Sequence, residues 1–385
     1  MSRGEAAATV VQGRLVLGDR VVPGRLTIEG GRIAAVDLEA GTGDPSEGAD
    51  DPIVAPGFAD LHVHGWGGHD AMGGPASLDG MARSLLRRGV TSFLPTAVSE
   101  PFDTLSTFAD DVRGWIPTAP ADGAEPLGFN LEGPFLAESR KGAHDASALR
   151  IPAMSTSELA PLRDGLRLIT IAPELPGALD LIDSLANDGI VVALGHSAAT
   201  VEQARAGYAS GARSTTHLFN AMSGLDHRAP GLSLVALLDD AVAVELIADG
   251  HHVSAALWPL VTRLKPVSRL ILVSDGVAIA GTTDRRGRIG SLAIEVAGGR
   301  AVVAGTETLA GSVIALDTAV RNLVGAGIPL ADAVAAASTN PLDLIRVIDR
   351  GRIAPGQRAD LVELDAELHV RRVMRGGAWL VGPPG

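Results

Sequence analysis

The 385-residue chain contains no cysteine. Disulfide bonds are therefore excluded, and a transition metal would have to be bound by histidine and carboxylate side chains. The chain also has no run near the ~20 apolar residues that a membrane-spanning helix requires. Its first residues, MSRGEAAATVVQGRLV, do not combine a basic start with an apolar core and a cleavage site, as a secretory signal does. These absences predict a cytoplasmic protein.

Positive charge is in deficit. Lysine and arginine total 32 residues against 45 aspartates and glutamates, which gives a formal net charge of −13. This balance argues against nucleic acid or an anionic membrane as a partner. An anionic small substrate remains compatible with it, because a bound cation and a few arginine or histidine residues can set the field of one site. The hydrophobic content of 46% is sufficient for a large core.

The two ends of the chain have a different character from its middle. Residues 1–55 contain short apolar segments separated by Gly-rich turns, and residues 351–385 read in the same way. We therefore predict that residues 1–55 and 351–385 together form one small β-sandwich domain, beside a larger domain of residues 56–350. The alternative, that the two ends are unrelated additions, stays open.

The middle of the chain alternates apolar runs of β type with amphipathic segments, such as residues 77–88, 101–116 and 199–209. Eightfold alternation predicts a (β/α)8 barrel of the TIM type. A doubly wound open sheet is the alternative, but no Gly-rich dinucleotide fingerprint follows the first run. The eight runs span residues 57–64, 90–98, 127–135, 166–174, 190–197, 213–220, 242–250 and 269–276.

Histidine and carboxylate side chains recur at the ends of these runs. In a barrel the carboxyl ends of the strands form one face, so residues at those ends converge. Taken singly, each has an ordinary structural explanation, such as a paired charge or a turn cap, but their common register favours a metal site. Neutral imidazole and carboxylate are suited to zinc, iron, manganese or cobalt. The residues are His62, His64, Glu132, His196, His217 and Asp275.

Short motifs surround these positions. They are PGFADLHVHG near the first run, LEGPF (131–135), KGAH (141–144), LGHS (194–197), THLFNAM (216–222), HRAPG (227–231), ADGHHV (248–253), VSDG (273–276) and LAGS (309–312). In this order they resemble the amidohydrolase superfamily of metal-dependent hydrolases and, more narrowly, the N-acetylglucosamine-6-phosphate deacetylase family, over nearly the whole chain. The resemblance implies hydrolysis of the acetamide of N-acetylglucosamine 6-phosphate to acetate and glucosamine 6-phosphate.

The resemblance also implies roles for the strand-end residues. By position, Glu132, His196 and His217 match the main metal site of the family, and Asp275 matches its catalytic acid and base. Family members differ at the first motif. Because this chain has both His62 and His64, a second metal ion is permitted, with Glu132 as a bridge. We expect one or two divalent ions per subunit, zinc first, with iron, manganese and cobalt as the other candidates.

Substrate recognition requires further donors. His144 is a candidate donor to the acetamide oxygen, where negative charge develops; its alternative is an ordinary histidine of a surface loop. The guanidinium fork of Arg228 suits phosphate oxygens, and the backbone N–H groups near Asn220 and Ala221 can add to it. The resemblance implies that His252 binds substrate and that Arg228 reaches the neighbouring subunit's site, hence a homodimer. It places further residues in the sugar pocket, namely Ala143 and, in a loop ahead of a helix expected from Ser312, Leu309, Ala310 and Gly311.

Three other functions remain as alternatives. The first is deacetylation of N-acetylgalactosamine 6-phosphate, because motifs do not reveal which epimer a pocket prefers. The second is hydrolysis of a cyclic amide, although such enzymes often bridge their metals with a carboxylated lysine, and here the third run carries Glu132 while Lys141 lies well beyond it. The third is a catalytically silent sugar-phosphate sensor or scaffold, which would be expected to lose Asp275 or a metal ligand.

Overall fold

The computed structural model describes residues 8–39, 51–154 and 156–382. Strands from both ends of the chain form one seven-stranded sheet in the order β21-β20-β19-β4-β1-β2-β3. The antiparallel pairing of β19 with β4 joins the carboxyl-terminal strands to the amino-terminal ones. The seven strands are β1 (Thr9–Leu17), β2 (Arg20–Glu29), β3 (Arg32–Leu38), β4 (Ile53–Pro56), β19 (Leu361–Leu364), β20 (Val370–Arg375) and β21 (Ala378–Val381).

This terminal sheet folds over itself. The N–H of Ala359 donates to the carbonyl of Gly31, and the N–H of Ile33 donates to the carbonyl of Gln357, each at 2.9 Å. These bonds hold the β2–β3 hairpin against the segment that precedes β19. The predicted sandwich is thus one continuous hydrogen-bonded sheet whose halves enclose a small core. That core contains Val11, Leu15, Leu26, Ile28, Ile33, Val54, Ile353, Ala359, Leu361 and Met374.

Eight parallel strands form the predicted barrel, and each lies inside one of the eight apolar runs. All eight residues of the second strand are buried, because helices cover one face of a barrel strand and the interior covers the other. A short strand, β9 (Glu125–Pro126), also pairs with it. The barrel strands are β5 (Phe58–Val63), β8 (Val90–Ala97), β10 (Phe129–Leu131), β11 (Leu166–Ile171), β12 (Val191–Leu194), β13 (Ser214–Thr215), β14 (Ala243–Leu246) and β15 (Leu270–Leu272).

The first and last barrel strands meet near their carboxyl ends. The N–H of Asp275 donates to the carbonyl of His62 at 2.9 Å, and the N–H of His64 donates to the carbonyl of Gly276 at 2.8 Å. Closure therefore occurs at the level of the predicted site residues, and it fixes Asp275 beside the His-x-His motif.

Helices of the expected amphipathic kind surround the barrel, and α1, α2 and α5 correspond to the three segments predicted from sequence. The helix expected from Ser312 begins instead at Leu316, because the N–H of Ser312 donates to the carbonyl of Asp275 and extends the strand end. No helix in the described ranges has the length and apolar character that a membrane span requires. The helices are α1 (Pro75–Leu86), α2 (Phe102–Trp115), α3 (Thr156–Leu159), α4 (Ala178–Asn187), α5 (Val201–Ala209), α6 (Leu232–Leu238), α7 (Trp258–Leu264), α8 (Leu316–Gly325), α9 (Leu330–Ala337) and α10 (Thr339–Leu344).

Two small additions lie near the carboxyl ends of the barrel strands. One is a hairpin of β6 (Gly65–Trp66) and β7 (His69–Asp70). The other is a three-stranded antiparallel sheet inserted between β15 and α8, which sequence analysis did not assign. Its strands are β16 (Arg286–Ile289), β17 (Leu292–Ala297) and β18 (Arg300–Val303).

Candidate metal centre and active site

Three ligand atoms from three strand ends lie close together. Oε1 of Glu132 is 2.9 Å from Nε2 of His196 and 2.8 Å from Nε2 of His217, and the two ring nitrogens are 3.1 Å apart. Ligands bonded at about 2.1 Å around a tetrahedral ion lie about 3.4 Å from one another. The triangle therefore has nearly the dimensions of one face of a metal site, and all three residues are buried. These residues fit a divalent cation.

Hydrogen bonds to Nδ1 of the imidazole rings determine which ring nitrogen carries the proton. Nδ1 of His196 lies 2.8 Å from the carbonyl oxygen of Arg140, and Nδ1 of His64 lies 3.1 Å from the carbonyl oxygen of Thr96. A carbonyl oxygen only accepts, so Nδ1 carries the proton in both rings. In the neutral ring Nε2 then presents a lone pair to the site, as a metal ligand must. His217 differs, because its Nδ1 has no hydrogen-bond partner among the described residues.

A second group of ligand atoms shares Glu132. Nε2 of His64 is 3.2 Å from Oε2 of Glu132 and 3.3 Å from Nε2 of His62. Nε2 of His62 is 3.6 Å from Oε1 of the same carboxylate. Because Glu132 belongs to both groups of ligand atoms, it can bridge two cations.

Three site residues have a left-handed backbone. The φ angle is 46° at His196, 24° at His217 and 50° at Asp275. A non-glycine residue in this region costs on the order of 1–3 kcal/mol and persists only where the surrounding structure imposes it. All three follow the carboxyl ends of barrel strands, so the strain is concentrated at one face of the barrel. Repeated strain of this kind is typical of a functional site.

Asp275 lines the cavity beside the second ligand group. Its Oδ1 is 3.2 Å from Nε2 of His64 and 3.6 Å from Nε2 of His62. Burial acts to raise the pKa of Asp275. In the metal-free site, however, the hydrogen bond from protonated His64 and the positive charges of His62 and His64 hold that pKa below its usual value. Asp275 is therefore ionised at neutral pH, which is the state that a general base requires.

His144 is a buried donor rather than an exposed loop histidine. The backbone N–H of Ser99 donates to its Nδ1 at 3.1 Å, so a neutral ring carries its proton on Nε2. That Nε2 lies 3.2 Å from Oε2 of Glu132. Burial is the largest influence on the pKa of His144 and lowers it to about 4, against the opposing charge of Glu132. At neutral pH His144 thus directs an uncharged N–H group towards the metal ligands.

The ligand groups border a cavity of about 320 Å³, a size typical of small-molecule sites. Most of the residues predicted for the site line it together. They are His64, Glu132, Ala143, His144, His196, His217, Asn220, Ala221, His252, Asp275, Leu309 and Gly311. The cavity also has lining residues that sequence analysis did not name, namely Ser139, Arg140, Gly142, Ile289 and Thr308.

Three predicted residues do not line the cavity. His62 is fully buried, and it reaches the site through Nε2. Ala310 is also fully buried, and it packs with the core of the inserted sheet because its N–H donates to the carbonyl of Ala301. Arg228 is exposed on the loop between β13 and α6, outside the cavity of its own chain.

The expected phosphate donors differ in availability. The backbone N–H of Asn220 donates to the carbonyl of His217, and its side-chain amide donates to that carbonyl and to the one of Leu218. The N–H of Ala221, by contrast, has no partner within the described part of the chain. His252 is held by a 2.7 Å hydrogen bond from its Nδ1 to Asp249. Of the backbone N–H groups of Asn220 and Ala221, that of Ala221 is therefore the one left for a ligand.

Two charged residues near the site were missed by sequence analysis. Arg140 lines the cavity, and its guanidinium has no hydrogen bond or ion pair with the described residues. Glu245 lies on β14, with Oε2 3.2 Å from Nδ1 of His62 and 3.2 Å from the N–H of His217. A signal for each was present: an arginine beside the KGAH motif, and a carboxylate in the middle of the apolar seventh run.

Comparison with known proteins agrees with this geometry. The chain is 37% identical over 340 residues to an N-acetylgalactosamine-6-phosphate deacetylase of Escherichia coli O157:H7, covering 86% of this chain and 88% of the relative. It is 35% identical over 402 residues to the human N-acetylglucosamine-6-phosphate deacetylase, covering 97% and 96%. A crystal structure of an N-acetylglucosamine-6-phosphate deacetylase from Thermotoga maritima superposes with a TM-score of 0.89 at 32% identity, covering 97% of this chain and all of that one.

A mutant deacetylase from Mycobacterium smegmatis, solved in complex with N-acetyl-D-glucosamine 6-phosphate, superposes with a TM-score of 0.88 at 34% identity, covering 98% of this chain and all of that one. Residues 53–380 match the model of the amidohydrolase family. The resemblance that the strand-end motifs indicated is thereby confirmed, and the chain belongs to the amidohydrolase family of metal-dependent enzymes.

Proposed function

We propose that the protein hydrolyses the acetamide of N-acetyl-D-glucosamine 6-phosphate to acetate and D-glucosamine 6-phosphate. One observation carries the proposal: the cavity that contains the metal ligands also contains an ionised Asp275 and a neutral His144 donor. Relatives of this chain at 35% identity are named for this reaction. A phosphorylated sugar carries ionised oxygens that do not cross a bilayer unaided, so a cytoplasmic location suits this substrate.

Glu132, His196 and His217 would hold the first metal ion, and His62 and His64 with Glu132 would hold a second. Amide hydrolysis is slow because water near neutral pH is a poor nucleophile and an amide is a poor electrophile. When bound, a divalent cation lowers the pKa of water and polarises a carbonyl group, so it would help with both. We propose zinc, because buried imidazole nitrogens and a carboxylate are ligands that zinc accepts. The absence of cysteine is compatible with that choice.

Asp275 acts as general base and then as general acid. As an ionised carboxylate it accepts a proton from the water that attacks the acetyl carbon. It then delivers that proton to the sugar nitrogen, which must leave as a neutral amine. Its position beside His64 keeps it ionised before the reaction, and delivery of the proton to the sugar nitrogen returns it to that state.

His144 stabilises the oxygen of the acetamide. Negative charge develops on this oxygen as the carbonyl carbon becomes tetrahedral, and a fixed neutral donor lowers the energy of that state. The bond from the Ser99 N–H fixes both the orientation of the ring and the nitrogen that carries its proton.

We assign phosphate binding to donors on two loops of the cavity wall. Arg140 is the arginine within this chain's own cavity, and it is unpaired among the described residues. Its backbone carbonyl is bonded to His196, and an added Cβ at Gly142 would lie 3.9 Å from Cβ of Ala221. The loop that bears Arg140 therefore adjoins the free N–H of Ala221, so a guanidinium fork and a backbone donor are available together.

Arg228 completes the phosphate site from a second subunit of a homodimer. It is exposed and outside the cavity of its own chain, so it can serve a neighbouring cavity. Helix α7 packs against α6, the helix that follows the Arg228 loop. Apolar side chains are exposed along it: Leu257, the residue before α7, and Leu260 and Leu264 within it are each 38% exposed. Their spacing of three and four residues places them on one face, and an exposed apolar face of this kind is typical of a protein–protein interface.

N-acetylgalactosamine 6-phosphate is the second candidate substrate. It is favoured by the 37% identity to a deacetylase named for that epimer. The two sugars differ in the orientation of one hydroxyl group, and none of the metal ligands or acid–base groups depends on it.

The test is acetate release by purified protein from both phosphorylated epimers and from unphosphorylated N-acetylglucosamine. Release is measured before chelation, after chelation and after return of zinc, iron, manganese or cobalt. We expect activity that metal restores, a preference for the gluco epimer and little turnover without the phosphate. A preference for the galacto epimer would change the proposed substrate to N-acetylgalactosamine 6-phosphate and leave the proposed mechanism unchanged. Absence of turnover with any divalent ion on either epimer would overturn the proposal.

A further inference from the structure

Glu245 is a buried carboxylate in the barrel interior, and its side chain is 1% exposed. Oε2 lies 3.2 Å from Nδ1 of His62, and it accepts a hydrogen bond of 3.2 Å from the backbone N–H of His217. One carboxylate oxygen thus contacts one residue from each group of metal ligands. None of the residues assigned above to the reaction or to the substrate has this position.

The charge of Glu245 has little compensation within the described residues. His62 is its only ion-pair partner there, and its Oε1 has no hydrogen-bond partner. A buried carboxylate is unfavourable unless a cation balances it. Nε2 of His62 points away from Glu245, towards Glu132 and Asp275. A metal ion at that Nε2 would supply the missing positive charge through the ring, as in carboxylate–histidine–metal triads generally.

We propose that Glu245 is a positioning residue that holds His62 with its proton on Nδ1 and so makes the group of His62, His64 and Glu132 a competent second metal site. A carboxylate only accepts hydrogen bonds, so Nδ1 of His62 donates to it and Nε2 remains free as a ligand. The carbonyl of Thr96 fixes His64 in the same tautomer. The inference rests on the metal dependence of the proposed function, but not on the identity of its substrate.

The experiment measures metal binding in the absence of substrate. Chelator-treated protein is titrated with Zn²⁺ by calorimetry, and its metal content is determined after dialysis at a fixed free Zn²⁺ concentration. For the wild-type protein we expect two ions per subunit. Glu245→Ala should weaken the binding of the ion at His62, His64 and Glu132 by about 10- to 100-fold and leave the other ion bound. Glu245→Gln should recover part of this affinity, because the amide oxygen still accepts from Nδ1.

Two controls separate positioning from a general loss of stability. Glu363→Gln alters an equally buried carboxylate of β19, which is paired with Arg372 in the terminal sheet, and should leave both ions bound. His62→Ala removes the ligand itself, so adding Glu245→Ala to it should cause no further loss if Glu245 acts through His62.

Binding of two ions by Glu245→Ala with wild-type affinity, or of a single ion by the wild-type protein, would overturn the inference. If Glu245→Ala does not fold, Glu245→Gln decides the question. The Zn²⁺ affinity of its weaker site must then lie between the affinities of that site in the wild type and in His62→Ala. Failure of the protein to deacetylate any sugar would leave these binding results unchanged, so the two proposals fail separately.

Discussion

Asp275 is placed at the closing seam of the barrel, where its N–H is bonded to the carbonyl of His62 and its carboxylate faces His64. We expect Asp275→Asn to reduce kcat about 100- to 10,000-fold, because the amide cannot accept and return a proton. The metal held by Glu132, His196 and His217 should remain. Acetate release and metal analysis on the same preparation measure the two effects.

Asp284→Asn is the matched control, because Asp284 is exposed on the loop before β16. It should retain wild-type turnover. Near-normal kcat in Asp275→Asn would remove Asp275 from the proton transfers, whereas loss of all bound metal would show that it acts chiefly as a ligand.

His144 makes stability depend on pH in the metal-free protein. Burial lowers its folded pKa to about 4 from 6.5, so between these values the unfolded chain binds more protons than the folded one. The free energy of unfolding therefore falls as pH decreases from 6.5 towards 4. We expect this residue to account for about 2 kcal/mol of the loss between pH 7 and pH 5, and His144→Asn to lack that part. Urea denaturation at the two pH values measures it.

Asparagine is the informative substitution at this position, because its side-chain oxygen can still accept the Ser99 N–H. His369→Asn, at a histidine 60% exposed in the terminal sheet, should keep the wild-type pH dependence. An identical slope in His144→Asn and the wild type would mean that His144 titrates normally and is not held as a neutral donor.

At the level of elements, the loop after β10 would connect metal binding to the phosphate recognition proposed for Arg140. The carbonyl of Arg140 fixes His196, while its side chain lines the cavity. We expect Arg140→Ala to raise KM for the phosphorylated sugar about 10- to 100-fold, the loss of a charge-assisted hydrogen bond, and to change kcat much less. The backbone carbonyl is retained, so metal content should not change. Initial rates across substrate concentrations give both constants.

Arg150→Ala serves as its control, because that guanidinium bonds the carbonyls of Ser147 and Leu149 on the same loop and does not line the cavity. An equal rise in KM for phosphorylated and unphosphorylated sugar in Arg140→Ala would show that Arg140 does not contact the phosphate.

The barrel strands were predictable because they are buried on both faces, so each appears in the sequence as an apolar run that stops at a polar residue. The convergence of His196 and His217 followed from that register alone. The inserted sheet of β16–β18 was not predictable in this way, because its short strands are half exposed and their apolar pattern is weak. Glu245 was missed although its strand is strongly apolar and was predicted. The role of a charged residue within a buried strand can be inferred only when its neighbours on other strands are known.

Loop residues set the limit of prediction at the site. The KGAH motif drew attention to His144, but the bond from Ser99 that fixes its proton depends on the path of two loops. Similarly, motif position could not separate the free N–H of Ala221 from that of Asn220, which is bonded to His217. Ala310 shared a motif with Leu309 and Gly311, yet strand pairing turns its side chain into the inserted sheet.

At the scale of the whole molecule, complete phosphate recognition is expected to require two subunits. Arg228 lies outside its own cavity, and Leu257, just before α7, forms an exposed apolar face with Leu260 and Leu264 of that helix. We expect Leu260→Glu to weaken the dimer, because burying an unpaired carboxylate in an apolar interface is costly. Light scattering should then detect monomer at concentrations where the wild type is dimeric.

The same variant should raise KM for the phosphorylated sugar to the extent that Arg228→Ala does, because the monomer loses the partner's arginine. Leu179→Glu is the matched control: this leucine of α4 is also 38% exposed, and the variant should stay dimeric with an unchanged KM. Combining Leu260→Glu with Arg228→Ala should raise KM no further than either change alone, since both remove one interaction. Additive effects would mean that α7 and Arg228 do not belong to the same interface, and a dimeric Leu260→Glu with normal KM would place the interface elsewhere.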